Sequence, residues 1–477
     1  MRHIFSVQTI SETETNFRQQ FGEGILMERA SFAIAARVSQ ILRDLFGGVV
    51  GAKVLLLVGA GDNGGDALFA GTYLLNRGVD VRAIQVSEHM HELGFEAFRV
   101  AGGRFIESEV IQNFAPDVIL DGIVGTGLRG PLRENVLSVI QAVNRSESFV
   151  VSIDVPSGVI ADTGEVLGAA VQANVTLTIG AYKIGVFTGQ GKAQTGLLDF
   201  IDIGVEYPAS QAIAHLLDLR DLLEEFPPAQ VQSYKYSRGV VGLNVGSEDY
   251  PGASLLAVGG ALASGVGMVR MSEQVAPFVI EAHPEVVQGL HDPHINAFAI
   301  GSGGAGDIDQ LAELLSKSVP VVIDAHALDF LSDDAIRNLL AERNANGVLT
   351  VMTPHAGEAS RLGFSGTNRL EVAKQLAQHF QATVVLKGPG TIMMNPKGDT
   401  FVDLFGSQTL SSAGTGDVLA GLIAGSLATS SSPSIKTVAS AVALHGLASR
   451  WLSDTETASD LVEALIVVRT DLQNTQE

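Results

Sequence analysis

The sequence predicts an α/β protein of two domains, each a mostly parallel sheet covered by helices. Three observations carry that prediction. The 477-residue chain exceeds what one ordinary core serves. Short continuous β-former runs, the mark of strands buried on both faces, alternate with helical periodicity. Many of those runs end in turns bearing glycine and a carboxylate, where α/β sheets bind ligands.

Ile25 to Leu45 has apolar residues at helical spacing and predicts an amphipathic helix. Lys53–Val58 then predicts a buried strand, ending in the turn Gly59-Ala60-Gly61-Asp62-Asn63-Gly64-Gly65-Asp66-Ala67, with a helical pattern running on to Arg77. A lone glycine turn is a weak signal, but the alternation continues through strands at Val81–Val86, Val118–Asp121 and Phe149–Asp154. The last two end in Asp121-Gly122-Ile123-Val124-Gly125-Thr126-Gly127 and Asp154-Val155-Pro156-Ser157-Gly158. Asn63, Asp121, Asp154 and Ser157 are therefore expected to converge on one crevice, with turn formation or capping as the plain alternative for each aspartate. Thr176–Lys183 and Leu197–Gly204 close this half as strands.

The charge-dense passage Asp218 to Lys235, with Glu224-Glu225 and Pro227-Pro228, reads as the boundary, giving domains over 1–217 and 218–477. Beyond it, strand-to-loop junctions recur at Gly239–Ser247, Ala297–Gly304, Val319–His326, Val351–Glu358 and Thr383–Gly388. The uncharged stretch Pro251 to Val269 has the length of a membrane span. Its Gly, Ala and Ser content favours a close-packed soluble helix instead.

The last junction is Ser411-Ser412-Ala413-Gly414-Thr415-Gly416-Asp417-Val418-Leu419-Ala420-Gly421. Its glycines leave backbone N–H groups free at a helix start, a ready anion site. A carboxylate there suits a base that takes the proton of a hydroxyl accepting a phosphoryl group. Asp417 as a helix N-cap is the competing reading.

A formal net charge of -22 argues against nucleic acid or an anionic membrane surface as partner. An anionic ligand must be held locally by amides, a few Lys or Arg, or a metal ion. The chain has no cysteine, so disulfides and thiolate metal sites are excluded, which fits a cytoplasmic location.

The second half resembles the ribokinase-like NAD(P)HX dehydratases through Tyr250-Pro251-Gly252-Ala253, Thr353-Pro354-His355-Ala356-Gly357-Glu358, Lys387-Gly388 and Ala413–Gly421, in family order. The first half is similar to the NAD(P)HX epimerases through Asn63-Gly64-Gly65-Asp66, Asp121 with Gly125-Thr126-Gly127, and Ser152–Gly158. The resemblance implies a Rossmann-like domain followed by a ribokinase-like domain. It also implies repair of hydrated NADH and NADPH: interconversion of the R and S hydrates, and ADP-dependent dehydration of the S form with release of AMP and phosphate.

It further implies roles for residues. Asp417 matches the catalytic aspartate. Lys387, Gly388, Pro389, Gly390 and Thr391, with Gly414, Thr415 and Gly416, match the nucleotide-binding segments. Ala253, Gly303 and His355 match hydrate contacts, and Glu358 is a candidate Mg²⁺ ligand or simply a helix-start carboxylate. In the first half, Asp62, Asn63, Gly64, Gly65 and Asp66 match one hydrate-binding loop, and Gly125, Thr126, Gly127, Leu128, Arg129, Gly130 and Pro131 another. Asn63, Asp121 and Ser157 match a potassium site, whose oxygen-only donors suit a hard cation. Asp154 matches a substrate-contacting aspartate and Lys183 a lysine after the following strand. Members of these families assemble, so a homo-oligomer is expected.

Several positions depart from the family pattern. Asp62 replaces a usual Asn, Ala67 a usual Gly and His326 a usual Asp, while Gly301-Ser302-Gly303-Gly304 and Gly406-Ser407-Gln408 differ from the common loops. A hydroxyl kinase with an N-terminal nucleotide-binding module is the alternative function, and a non-enzymatic sensing module is an alternative for the first half.

Overall fold

The computed structural model, described over residues 1–107 and 114–474, divides into two compact units. One is His3–Ile213, and the other is Ala214–Glu477 with Met1–Arg2. The division falls before Ala214, slightly earlier than the sequence boundary, because Ala214–Leu216 is a strand that pairs in parallel with Thr400–Val402. Among the described residues no helix is long and apolar enough to cross a membrane.

The N-terminal unit is built on a seven-stranded sheet in the order Arg104–Phe105, Asp80–Gln85, Lys53–Val58, Val118–Gly122, Phe149–Ile153, Val175–Ile179, Leu197–Ile201. Every pairing is parallel. The alternation within Lys53–Val58 shows why a continuous apolar run is needed. Val54, Leu56 and Val58 enter the core that packs on Ile25–Phe46, while Leu55 and Leu57 enter the core on the opposite face. Each such side chain contributes roughly 1.5–3 kcal/mol on burial. The strand order reverses between Lys53–Val58 and Val118–Gly122, the switch point where a crevice opens at the carboxyl ends. Ala67, one of the departures, is buried here, and a Cβ on Gly122 would stand 2.7 Å from its methyl.

Among the elements of this unit that the sequence reading does not name are the helices Glu92–Val100 and Glu134–Asn144, the edge strand Arg104–Phe105, and the helix Val7–Phe21, capped by the Ser6 side chain on Thr9 N–H. The strand expected over Thr176–Lys183 ends at Ile179, because Gly180 turns the chain at φ +69° and carries Tyr182 and Lys183 out of the sheet.

In the C-terminal unit the sheet runs Ala214–Leu216, Thr400–Val402, Ile392–Met394, Thr383–Leu386, Thr350–Met352, Val321–Ile323, Ala297–Ile300, Val240–Asn244, Met268–Met271, Val287–Gln288. It is parallel except where Ile392–Met394 pairs antiparallel with both neighbours. Val322 faces a core with the helices Pro251–Ala263, Thr415–Thr429, Ile435–Ser449 and Ala458–Asn474. Val321 and Ile323 face the opposite core, with Ile308–Leu315, Asp334–Ala345 and Arg369–Phe380. Three layers follow from that alternation, as the ribokinase-like expectation requires.

The uncharged stretch is a close-packed helix, but only over Pro251–Ala263. Gly265 at φ +81° ends it, and Met268–Met271 is already a strand. Its small residues let it lie against Thr415–Thr429 backbone to backbone. A Cβ on Gly260 would strike the Val418 carbonyl, and one on Gly421 the Ala257 carbonyl. That contact fixes the helix whose first turn carries Asp417.

Candidate active sites in the two units

The C-terminal constellation starts from Val321–Ile323, whose end delivers Asp324 into the interior. Asp324 Oδ1 accepts from Lys387 Nζ at 2.8 Å and from Thr353 Oγ1 at 2.6 Å, and Oδ2 accepts from Ser302 Oγ at 2.8 Å. Three strand-end loops are thereby tied to one carboxylate. Burial alone would raise the Asp324 carboxyl. Lys387, Thr353 and Ser302 together hold it below the usual range.

Lys387 begins the predicted nucleotide loop and lies 3.9 Å from Glu358 Oε2. Burial would lower its ammonium, but Asp324 and Glu358 keep it raised and charged. A Cβ on Gly416 would stand 3.5 Å from Lys387 Nζ, so the lysine looks onto the Gly414–Gly416 turn. That turn begins with Gly414 at φ +91° as the N-cap of Thr415–Thr429, and Asp417 follows inside the first turn. The N-cap reading of Asp417 is thus set aside. Burial pushes its carboxyl up to about 6, Asp324 adds to the rise, and Lys387 opposes it. A carboxylate poised near neutrality is suited to general-base work.

His355 and Glu358 cap each other's backbone. His355 Nδ1 accepts from Glu358 N at 3.1 Å, and Glu358 Oε2 accepts from His355 N at 2.8 Å. The neutral ring therefore carries its proton on Nε2, which lies 3.5 Å from Glu358 Oε1, and the imidazole is more than half exposed toward any ligand. Ser247 Oγ donates to the Gly303 carbonyl at 2.8 Å. Gly303 adopts φ +66° against Ala253, whose methyl would lie 2.5 Å from an added Cβ. Ala253, Gly303, His355, Lys387, Gly416 and Asp417 thus surround the Asp324 hub, with Pro389, Gly390 and Thr391 extending the loop. His326, in contrast, is exposed and stacks edge-on to Phe330.

Sequence reasoning missed three residues here. Asp324 is the hub, although the strand-end pattern pointed to it. Arg369 donates from Nη2 to the carbonyls of Leu386 (2.9 Å) and Lys387 (3.2 Å), steadying the predicted nucleotide loop from behind. His445, fully buried and held down to about 4 by burial, contacts the Thr415 carbonyl at 3.0 Å. Nothing in the local sequence marks either of the last two.

The N-terminal site gathers at the switch point. Asn63 Nδ2 donates to the Ile153 carbonyl at 2.8 Å, and a Cβ on Gly125 would lie 2.6 Å from the Asn63 amide. Asp121 is completely buried. It accepts from Ser157 Oγ at 2.6 Å, from Ser157 N at 2.9 Å and from Ser152 Oγ at 2.8 Å. Burial raises its carboxyl, and those bonds only partly offset the rise. Asn63, Asp121 and Ser157 do come together, and their donors are all oxygen.

Asp154 holds a left-handed backbone at φ +66°, an uncommon conformation for a side chain other than glycine. It pairs with buried Lys183, while Ile179 N donates to Asp154 Oδ1 at 3.0 Å and Lys183 Nζ donates to the Ile179 carbonyl at 2.7 Å. Asp66 is buried with Oδ1 unpartnered. Burial, with Asp62, Asp154 and Glu14 nearby, raises its carboxyl well above normal. Asp62 is exposed and lies 3.8 Å from Arg18. A cavity of about 720 Å³ opens between Thr126-Gly127-Leu128-Arg129 and the helix Val7–Phe21, whose Gln8, Ser11 and Glu12 line it. Gly130 and Pro131 continue that loop outside the cavity lining.

Comparison with known proteins agrees with both units. The family described as YjeF-related protein N-terminus matches residues 23–185, and the family described as NAD(P)H-hydrate dehydratase matches residues 241–469. The bifunctional NAD(P)H-hydrate repair enzyme Nnr of Mycobacterium leprae is 36% identical over 437 residues, covering 90% of this chain and 89% of that one. The enzyme of the same name from Moorella thermoacetica is 31% identical over 470 residues, covering 89% and 87%. A crystal structure of the ADP/ATP-dependent NAD(P)H-hydrate dehydratase of Bacillus subtilis, co-crystallized with ATP/Mg²⁺, is 28% identical with a TM-score of 0.47, covering 54% of this chain and 99% of that one. By its identity to these relatives over nearly its whole length, the chain belongs to the family of bifunctional NAD(P)H-hydrate repair enzymes.

Proposed function

We propose that the C-terminal unit dehydrates the S hydrate of NADH or NADPH at the expense of ADP, and that the N-terminal unit interconverts the R and S hydrates to supply it. The observation that carries the reading is the placement of Asp417, with its carboxyl near 6, beside Lys387 and the open amides of Gly414 to Gly416.

In the dehydration, Asp417 takes the proton of the ring hydroxyl as that oxygen attacks the terminal phosphoryl of ADP. Lys387 and the turn amides stabilise charge on the phosphoryl in flight, and AMP leaves. The phosphate ester then leaves as inorganic phosphate, a ring proton is lost, and the double bond of the reduced nicotinamide is restored. His355 Nε2 and the bare backbone at Gly303 would orient the hydrate. ATP in place of ADP fits the same geometry.

Among the described residues no group of three His, Asp or Glu is arranged to hold a metal, and Glu358 is already engaged in its cap. Mg²⁺ therefore fits best as an ion carried by the nucleotide phosphates. In the N-terminal unit the oxygen donors of Asn63, Asp121 and Ser157 suit potassium, which would supply local positive charge for an anionic substrate. The Asp154–Lys183 couple is the proton-handling group we assign to epimerisation, with the Asp62–Asp66 and Gly125–Pro131 loops binding the hydrate. A cytoplasmic location fits a cysteine-free chain acting on reduced dinucleotides.

Incubating the purified chain with ADP, Mg²⁺ and a purified S hydrate tests the dehydratase. Recovery of the reduced-nicotinamide absorbance with equimolar AMP and phosphate is expected. A stable phosphorylated product would instead mark a hydroxyl kinase.

A further inference from the structure

The helix Val7–Phe21 has an apolar stripe at positions 7, 10, 17 and 21, spaced as a helix face requires. Val7 and Ile10 are buried, Phe17 packs on the core of the unit, and the Phe17 and Phe21 rings lie 4.5 Å apart. The fifth place on that stripe, where a core residue is expected, is Glu14. A carboxylate on the inward face of a short helix carries a desolvation cost, so its partners are informative.

Tyr207 Oη donates to Glu14 Oε1 at 2.9 Å. The same hydroxyl would lie 2.6 Å from a Cβ at Gly180, the turn glycine that follows Ile179. Ile179 is the residue whose N–H and carbonyl bind Asp154 and Lys183. The Glu14–Tyr207 pair therefore sits against the back of the Asp154–Lys183 couple. Of the three ammonium protons of Lys183, two have acceptors in Asp154 and the Ile179 carbonyl. Tyr207 bonds Glu14, and Lys183, Asp154, Arg18 on its own helix and Asp66 from Asp62–Leu75 lie within electrostatic reach of it. Burial raises the Glu14 carboxyl, while Lys183, Tyr207 and Arg18 oppose the rise.

We infer that Glu14, oriented by Tyr207, is a positioning residue for epimerisation that fixes the direction of the Lys183 ammonium against Asp154. This rests on the assignment of the Asp154–Lys183 couple to that reaction.

The test uses the full chain as wild type, Glu14→Gln, Tyr207→Phe and Asp154→Asn, following epimerisation of a purified hydrate across pH. Dehydration of the S hydrate and the melting temperature report folding. Glu14→Gln is expected to lower the epimerisation kcat roughly 10–100-fold, as small misplacements of reacting groups do, with little change in KM and with loss of the acid limb contributed by Glu14. Tyr207→Phe removes a bond that favours the charged carboxylate and should move that limb to higher pH. A merely structural helix contact would lower the melting temperature and leave the shape of the pH profile unchanged. A wild-type kcat and profile for both variants, with Asp154→Asn inactive, overturns the inference alone. Wild-type epimerisation by Asp154→Asn removes the couple and overturns the underlying assignment as well. Tyr207→Phe keeps the test decisive should Glu14→Gln fail to fold.

Discussion

Lys387 Nζ lies 2.8 Å from Asp324 Oδ1, and both side chains are largely withdrawn from solvent at the meeting point of three strand-end loops. The pair joins the loop that starts at Lys387 to the loops of Ser302 and Thr353, so its disruption should have two separable effects. Asp324→Asn leaves Lys387 without its main partner and is expected to cost about 3–5 kcal/mol in urea unfolding, as breaking buried pairs does. The double variant Asp324→Asn, Lys387→Met should recover part of that stability and still fail to bind ADP by calorimetry. Equal destabilisation by the single and double variants would show that the pair is not the source of the effect.

Asp417 predicts a pH dependence in two observables. Its carboxyl is up near 6 in the folded chain, so the dehydration rate should fall as pH drops through about 6 and the base becomes protonated. Stability runs the other way. The folded state disfavours the charged form, so Asp417 costs stability increasingly as pH rises from about 4 to 6, and the full cost is present at neutrality. Asp417→Asn should therefore be inactive in dehydration and about 3 kcal/mol more stable at pH 7, on a scale of about 1.4 kcal/mol per pKa unit. An equal or lower melting temperature for this variant at pH 7 would count against the burial account.

Gly303 should not tolerate a side chain. At φ +66° with Ala253 only 2.5 Å from an added Cβ, Gly303→Ala is strained by both backbone and contact. A loss of S-hydrate dehydration with epimerisation unchanged is expected in paired assays, because the residue lies in the C-terminal unit.

Asp66 has an unpartnered buried oxygen and a strongly raised carboxyl. Asp66→Asn should raise the melting temperature, because it removes a carboxyl whose ionisation burial disfavours, while raising the KM for the hydrates. A lower melting temperature with unchanged KM would assign Asp66 a purely structural role.

Much of this was legible from the chain. The buried strands advertise themselves as apolar runs because neighbours such as Val321 and Val322 face opposite cores. Their ends advertise the sites, since glycine turns and carboxylates have little reason to recur there otherwise. The helix Val7–Phe21 was not legible, because Glu14 interrupts its apolar stripe and makes the period look broken. Asp62 departs from the family's usual Asn, and its ionic neighbour Arg18, 3.8 Å away, sits on that unrecognised helix. Arg369 and His445 escaped for another reason. They act on backbone carbonyls of distant residues, and no local spacing records such a contact. The uncharged stretch beyond Pro251 is a close-packed helix shorter than its composition predicts, since composition does not mark the turn at Gly265.

The division of labour between Asp417 and Asp154 is tested most directly by one epimer-resolved measurement. An equal mixture of R and S hydrates is incubated with ADP and Mg²⁺, and the two epimers are followed by chromatography for wild type, Asp417→Asn and Asp154→Asn. Wild type should consume both epimers. Asp417→Asn should consume neither while still interconverting purified R and S, and Asp154→Asn should consume S and leave R. Dehydration by Asp417→Asn at the wild-type rate, or loss of R at the wild-type rate by Asp154→Asn, would contradict the account.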